Sequence, residues 1–193
     1  MTGSNASPFT PLSVGVSDAG DFSSYLGRPT QVEDETFITV QASVAIASGS
    51  NGKQLQTIIS SGQATFVVTL ATGGVSAYLA CAAVPWTHTG PIAAGAYFLA
   101  LRNSRGHVML IRGTATGAMI ATQPVVAGTG ADLINVFTGS AIAALTGEAA
   151  TSSGIGALLD RYSNAAGIAL TSDTGVAAVS GWVQYSAPFR GAN

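Results

Sequence analysis

Two imidazoles, one thiol and nine carboxylates are the groups in this 193-residue chain with the means for chemistry, and their spacing argues against most of it. Nucleophilic catalysis needs a base poised beside a serine or cysteine. His88 and His107 each stand in a loop-like stretch, and no Gly-x-Ser-x-Gly elbow surrounds any serine. One cysteine and two separated histidines give none of the usual zinc spacings. The adjacent carboxylates Glu33-Asp34-Glu35 cannot converge on one ion without ligands from elsewhere, so they read as a solvated boundary. The glycines form neither a phosphate-binding loop nor a dinucleotide fingerprint. A glycosidase-like pair drawn from Asp132, Glu148, Asp160 and Asp173 is a combination that no linear spacing excludes. Cys81 lies in the apolar run Tyr78 to Val84 with no basic neighbour, the setting of a buried, inert thiol. The expectation is a protein without catalytic residues, metal, cofactor or small-molecule substrate.

Charge is the other informative quantity. Only 8% of residues are charged and the net charge is -2, against about 25% charged residues in an ordinary globular domain. Interspersed charge keeps protein surfaces apart, so a surface this poor in it is expected to be buried against copies of itself or another protein. The one basic cluster, Arg102, Arg105 and Arg112 with His107, lacks the interleaved aromatics of a nucleic-acid footprint. Arg102 and Arg105 are therefore read as rim charges of a protein contact. No apolar run reaches the roughly 18 residues of a membrane helix. The first basic residue is Arg28, so no secretory signal is expected, and the Asn5-Ala6-Ser7 glycosylation pattern has no consequence.

The elements that must carry any binding face read as β-strands. Near the C-terminus, Gly167 to Thr171 and Val176 to Tyr185 flank an Asp/Thr/Gly turn and predict a closing hairpin. Both of its faces carry some polarity, which marks Trp182 as a partner anchor, with a core position as the rival. From Thr36 onward, short runs of β-branched and aromatic residues alternate with turn signals about every ten residues. They predict a β-sandwich or β-barrel of short antiparallel strands. Within it, Ser48 to Gly52 predicts a hairpin turn, and Ala96–Leu101 with Val108–Arg112 predicts a second hairpin. Pro124 demotes the strand at 123–126 to an edge, and the one short helix is expected around 156–162. Trp86, in the loop Pro85 to Pro91, is either a recognition residue or a lid over the core edge.

Residues 1–35 form a segment of their own. Pro8, Pro11 and Pro29 favour extended backbone, while Phe9, Leu12, Phe22 and Tyr25 are too apolar for a solvated tail. The segment is a linker or an arm that orders across a neighbouring subunit. The division is thus an arm, 1–35, and a β-rich domain, 36–193, with possible lobes at 36–122 and 123–193. Phe9, Leu12, Phe22, Tyr25, Trp86, Arg102, Arg105 and Trp182 are the candidate partner-binding residues.

The runs Ala93 to Leu101, Ala166 to Leu170 and Gly181-Trp182-Val183-Gln184-Tyr185 resemble the small β-rich decoration, or cement, proteins of tailed bacteriophage heads. That resemblance implies a non-enzymatic virion protein, assembled in the host cytoplasm, that stabilises the shell. Its partners would be the major capsid protein and copies of itself, trimers being common in that group. A tail-tube, head-closure or fibre-base subunit, or a carbohydrate-binding module, is the alternative.

Overall fold

The computed structural model describes residues 12–72, 80–113, 119–135, 162–175 and 177–187. The chain is all-β, as its period-two patterning requires, and its strands close into two barrels. The first barrel is built from β3 (Glu35–Ala42), β4 (Gln54–Ser60), β5 (Gln63–Leu70), β6 (Ala80–Ala83) and β7 (Tyr97–Asn103). The order runs β7-β6-β4-β5-β3, and a further β7–β3 pairing returns the sheet on itself. Two short strands, β1 (Ser17–Asp18) and β2 (Pro29–Val32), lie along the edges of β7 and β3. The second barrel closes in the order β10-β8-β12-β11-β9. Its strands are β8 (His107–Arg112), β9 (Pro124–Ala127), β10 (Leu133–Asn135), β11 (Gly167–Ala169) and β12 (Ala178–Tyr185).

Local chemistry explains the tightest turn. Ser60 pairs with Gln63 across Ser61 and Gly62, whose φ values of 52° and 79° make the mirror-image turn that matches strand twist. The closing hairpin is also present, with Gly167, Ile168 and Ala169 opposite Tyr185, Gln184 and Val183. Two other expected hairpins are not. β3 and β4 do not pair; β3 is held by β2, β5 and β7 instead. β7 and β8 do not pair either, because the chain leaves the first barrel at Asn103 and enters the second at His107. The Ser104 N–H donates to the Tyr185 carbonyl at 2.9 Å. The reason is burial: Tyr97 to Leu101 are all buried, a strand covered on both faces, whereas β8 alternates. The crossing at 104–106 also places the division between lobes earlier than the expected 122/123.

Pro124 stands in a strand paired on both sides, by β10 and β11, not at an edge. It is tolerated there as the first residue of β9, ahead of the β10 register that begins at Val125. The helix expected at 156–162 lies almost entirely outside the described residues. From Leu12 onward the N-terminal segment folds onto its own chain. Leu12 is buried, Val14, Phe22 and Leu26 pack on the same cluster, and the Phe22 ring meets Tyr97 edge-on at 5.9 Å. Enough apolar surface waits on the outer face of β7 to offset the entropy of ordering the segment locally.

Ile38, Val40, Leu55, Val68, Cys81 and Phe98 fill the first barrel. Phe37, Ala83 and Leu101, on the outer side of its wall, share one cluster with Met109, Ile111, Val125, Leu133, Val183 and Tyr185 of the second. The Tyr185 hydroxyl crosses the junction to donate to Gln54 Oε1 at 2.9 Å. Burial pushes that phenol well above its ordinary pKa.

Candidate functional site

Two places concentrate functional side chains: the junction between the barrels, and the outer face of the second barrel. At the junction, His107 Nδ1 faces Glu35 Oε1, and Nε2 accepts the Trp86 N–H at 3.2 Å. An Nε2 that accepts must be unprotonated, so Nδ1 carries the proton and donates to the carboxylate. Both ring nitrogens are thereby occupied, and this imidazole holds the Trp86 loop to β8 instead of standing free as a base. The Trp86 carbonyl in turn accepts from Asn51 Nδ2 at 3.3 Å, and its side chain is half-buried. The other histidine, His88, is 5% exposed. Burial depresses its pKa, outweighing its hydrogen bonds to the Gly90 and Gly15 backbone. Cys81 is buried, and desolvation pushes its thiol up to about 12. Among the described residues no group of three His, Cys, Asp or Glu could hold a metal ion. No helix there is long and apolar enough to cross a membrane.

The basic cluster is dispersed by pairing. Arg112 Nη2 lies 2.9 Å from the buried Asp132 carboxylate, and Arg105 lies 3.8 Å from Asp34 with both side chains exposed. Arg102 is half-buried at the junction, where its carbonyl accepts the Ala187 N–H. The Arg105–Asp34 pair is surface electrostatics, worth about 0–1 kcal/mol.

The outer face of the second barrel is different. Along β12, Gly181, Val183 and Tyr185 point inward while Ser180, Trp182 and Gln184 point out, the strict alternation of a strand with one wet face. Trp182 is opposite Val108 on β8, Gln184 is opposite Ile168 on β11, and Ile168 is opposite Pro124 on β9. The Leu170 N–H donates to the Trp182 carbonyl at 2.8 Å, and both side chains lean over Gly106. Trp182 is 52% exposed, Leu170 46% and Ile168 41%. Beside them an open hollow of about 440 Å³ is lined by Pro124, Tyr162, Ala165, Gly167, Ile168 and Ser186. None of these residues is charged. Among the described residues, these side chains form a largely apolar surface across four strands.

Of the sequence-derived candidates, Trp182 sits at the centre of this face and Arg105 is exposed. Leu12 is buried in the core, with Phe22 packed on it. Tyr25 is half-buried under the Arg28 guanidinium, 5.2 Å from its ring centroid. Phe9 lies outside the described residues. Ile168, Leu170 and Tyr162 were missing from the candidate set. The signal for the first two was their even-numbered register with Trp182 across the closing hairpin. No family model matches this chain, and no curated protein is similar to it in sequence.

Proposed function

We propose that this chain is a non-enzymatic structural protein of a bacteriophage virion, one that binds the outer surface of the capsid and stabilises the shell. The observation that carries the reading is the uncharged face around Trp182: an exposed tryptophan flanked by Leu170 and Ile168 on a rigid barrel wall is a surface for a protein neighbour. The sparse charge of the whole chain, 8%, supports the same conclusion. The resemblance to head decoration proteins supplies the location, with the major capsid protein and copies of the chain itself as partners.

The test is to mix the purified protein with empty capsids in about 0.1 M and 1 M salt and to image the particles. The Debye length shrinks to about 3 Å at 1 M, so an apolar attachment survives where a charge-steered one is lost. A regular lattice of added density, retained in high salt, is the expected result. Density at one vertex only would place the protein at another virion position, and no added density would refute the reading. Tyr162, 59% exposed beside the hollow, favours a second reading as a carbohydrate-binding module; glycan-array binding abolished by Tyr162→Ala is its test.

A further inference from the structure

The two barrels share one plan. In each, the first strand pairs antiparallel with the fifth, the fifth with the fourth, the fourth with the second and the second with the third. The third then returns parallel to the first. Isolated bridges recur at the same place: Ile46 with Ile92 in the first barrel and Met119 with Asp173 in the second, each joining the loop after strand one to the loop before strand five. The joining segments 43–53 and 113–123 are equal in length. The chain is a tandem repeat of a five-stranded barrel, a relationship hidden in the sequence.

The repeats differ in how their first and fifth strands are covered. In the first barrel, residues 17–32 form a strap. It enters as β1 along the edge of β7, at Tyr97 and Phe98. It then sets Phe22 against Tyr97 and leaves as β2 along β3. The corresponding face of the second barrel, on β8 and β12, carries Val108 and Trp182, and no strap covers it among the described residues. On the edge of β12 away from β8, β11 reaches only Val183, and no described residue pairs with the backbone from Ala178 to Gly181. The exposed parts of Trp182, Leu170 and Ile168 amount to roughly 300 Å², the size of patch that is often an interaction site.

We infer that this face takes a strap in trans, and that its occupant is the N-terminal segment, residues 1–11, of a second copy. Residues 12–35 are already engaged on their own barrel, with Leu12 buried, so the part of this sequence left to reach outward at this end is residues 1–11. These carry no charged side chain, matching an uncharged face. They hold one aromatic, Phe9, as the home strap uses Phe22, and Pro8 and Pro11 favour extended backbone around it. Extended, eleven residues reach about 35 Å, while the four strands of the face span roughly 20 Å. Such a donor-to-acceptor contact is heterologous, the type that links copies into closed rings or open filaments. The inference rests on the proposal that the face is covered in an assembly, and it names the neighbour there as another copy.

Sedimentation of the parent, a variant lacking residues 1–11, Trp182→Lys, and an equimolar mixture of the two variants tests it. Phe9→Asp serves as a second donor variant, and unchanged melting curves verify folding. The parent should self-associate and each variant alone should not, a lysine buried without a partner weakening the contact by about 100-fold or more. The mixture should form heterodimers, because one variant keeps the strap and the other keeps the face. Self-association of the variant lacking residues 1–11, a monomeric parent at every concentration, or a mixture that stays monomeric would overturn the inference. Heterodimers from the mixture with no binding to capsids would refute the capsid reading and leave this one standing. Decorated capsids with a monomeric mixture would do the reverse.

Discussion

Gly49→Ala and Gly52→Ala, three positions apart in the loop between β3 and β4, should differ in stability for a reason that only the contact between barrels supplies. Both glycines have left-handed backbone, φ +76° and +79°. Forcing alanine into that region costs about 1–2 kcal/mol. Around Gly49 nothing lies within 4 Å of an added Cβ. At Gly52 the same atom would stand 2.8 Å from the Leu110 nitrogen and 3.1 Å from Met109 backbone. No rotamer change relieves a clash with backbone, so β8 has to move. The Leu110 N–H that donates to the Gly52 carbonyl at 3.2 Å moves with it. Overpacking of this kind adds about 1–3 kcal/mol. For a chain of this size each kcal/mol shifts Tm by roughly 2–4 °C. Gly49→Ala should therefore lower Tm by about 2–8 °C and Gly52→Ala by a further 2–12 °C, read by calorimetry or far-ultraviolet circular dichroism. Equal drops would refute the close apposition of Gly52 and β8, and with it the docking of the barrels described above.

Three buried groups set the remaining outcomes. Tyr185→Phe should cost about 1–3 kcal/mol in denaturant unfolding, because Gln54, fully buried, loses the partner of its Oε1. Cys81 should react with a thiol reagent at pH 8 only as fast as the protein unfolds. Its folded pKa, about 12, exceeds the ordinary 9.0, so the stability it contributes is complete below pH 9 and is lost as pH rises from there; Cys81→Ser should flatten that alkaline limb. His88 is the acid counterpart. Its depressed folded pKa means stability is complete above about pH 6.5 and falls as the unfolded chain takes up a proton below it, and His88→Gln should remove that acid slope in melting experiments.

The fold class, the closing hairpin and the burial of Cys81 were legible in the chain. Each is written in neighbouring residues: period-two alternation, Asp and Gly at a turn, and an apolar run without charge. The sequence also singled out Trp182, because a hairpin with polarity on both faces has one face to spare. Which strands pair was not legible there, because it depends on contacts far apart in the chain. β3 and β4 are joined by a good turn and still do not meet, since barrel closure gives β3 non-local partners on both edges. β7 and β8 look like a hairpin yet lie in different barrels, because pairing is set by which faces need cover rather than by the turn between them. The same holds for the N-terminal segment. Its apolar residues marked it as interacting, but Leu12 and Phe22 pack on their own barrel, where the outer face of β7 offers Tyr97, Leu99 and Leu101. The apolar face centred on Trp182, with Ile168 and Leu170, is assembled by the pairing order of the second barrel. Pairing order leaves almost no trace in side-chain identity, since a barrel asks of each strand only inward bulk and outward tolerance.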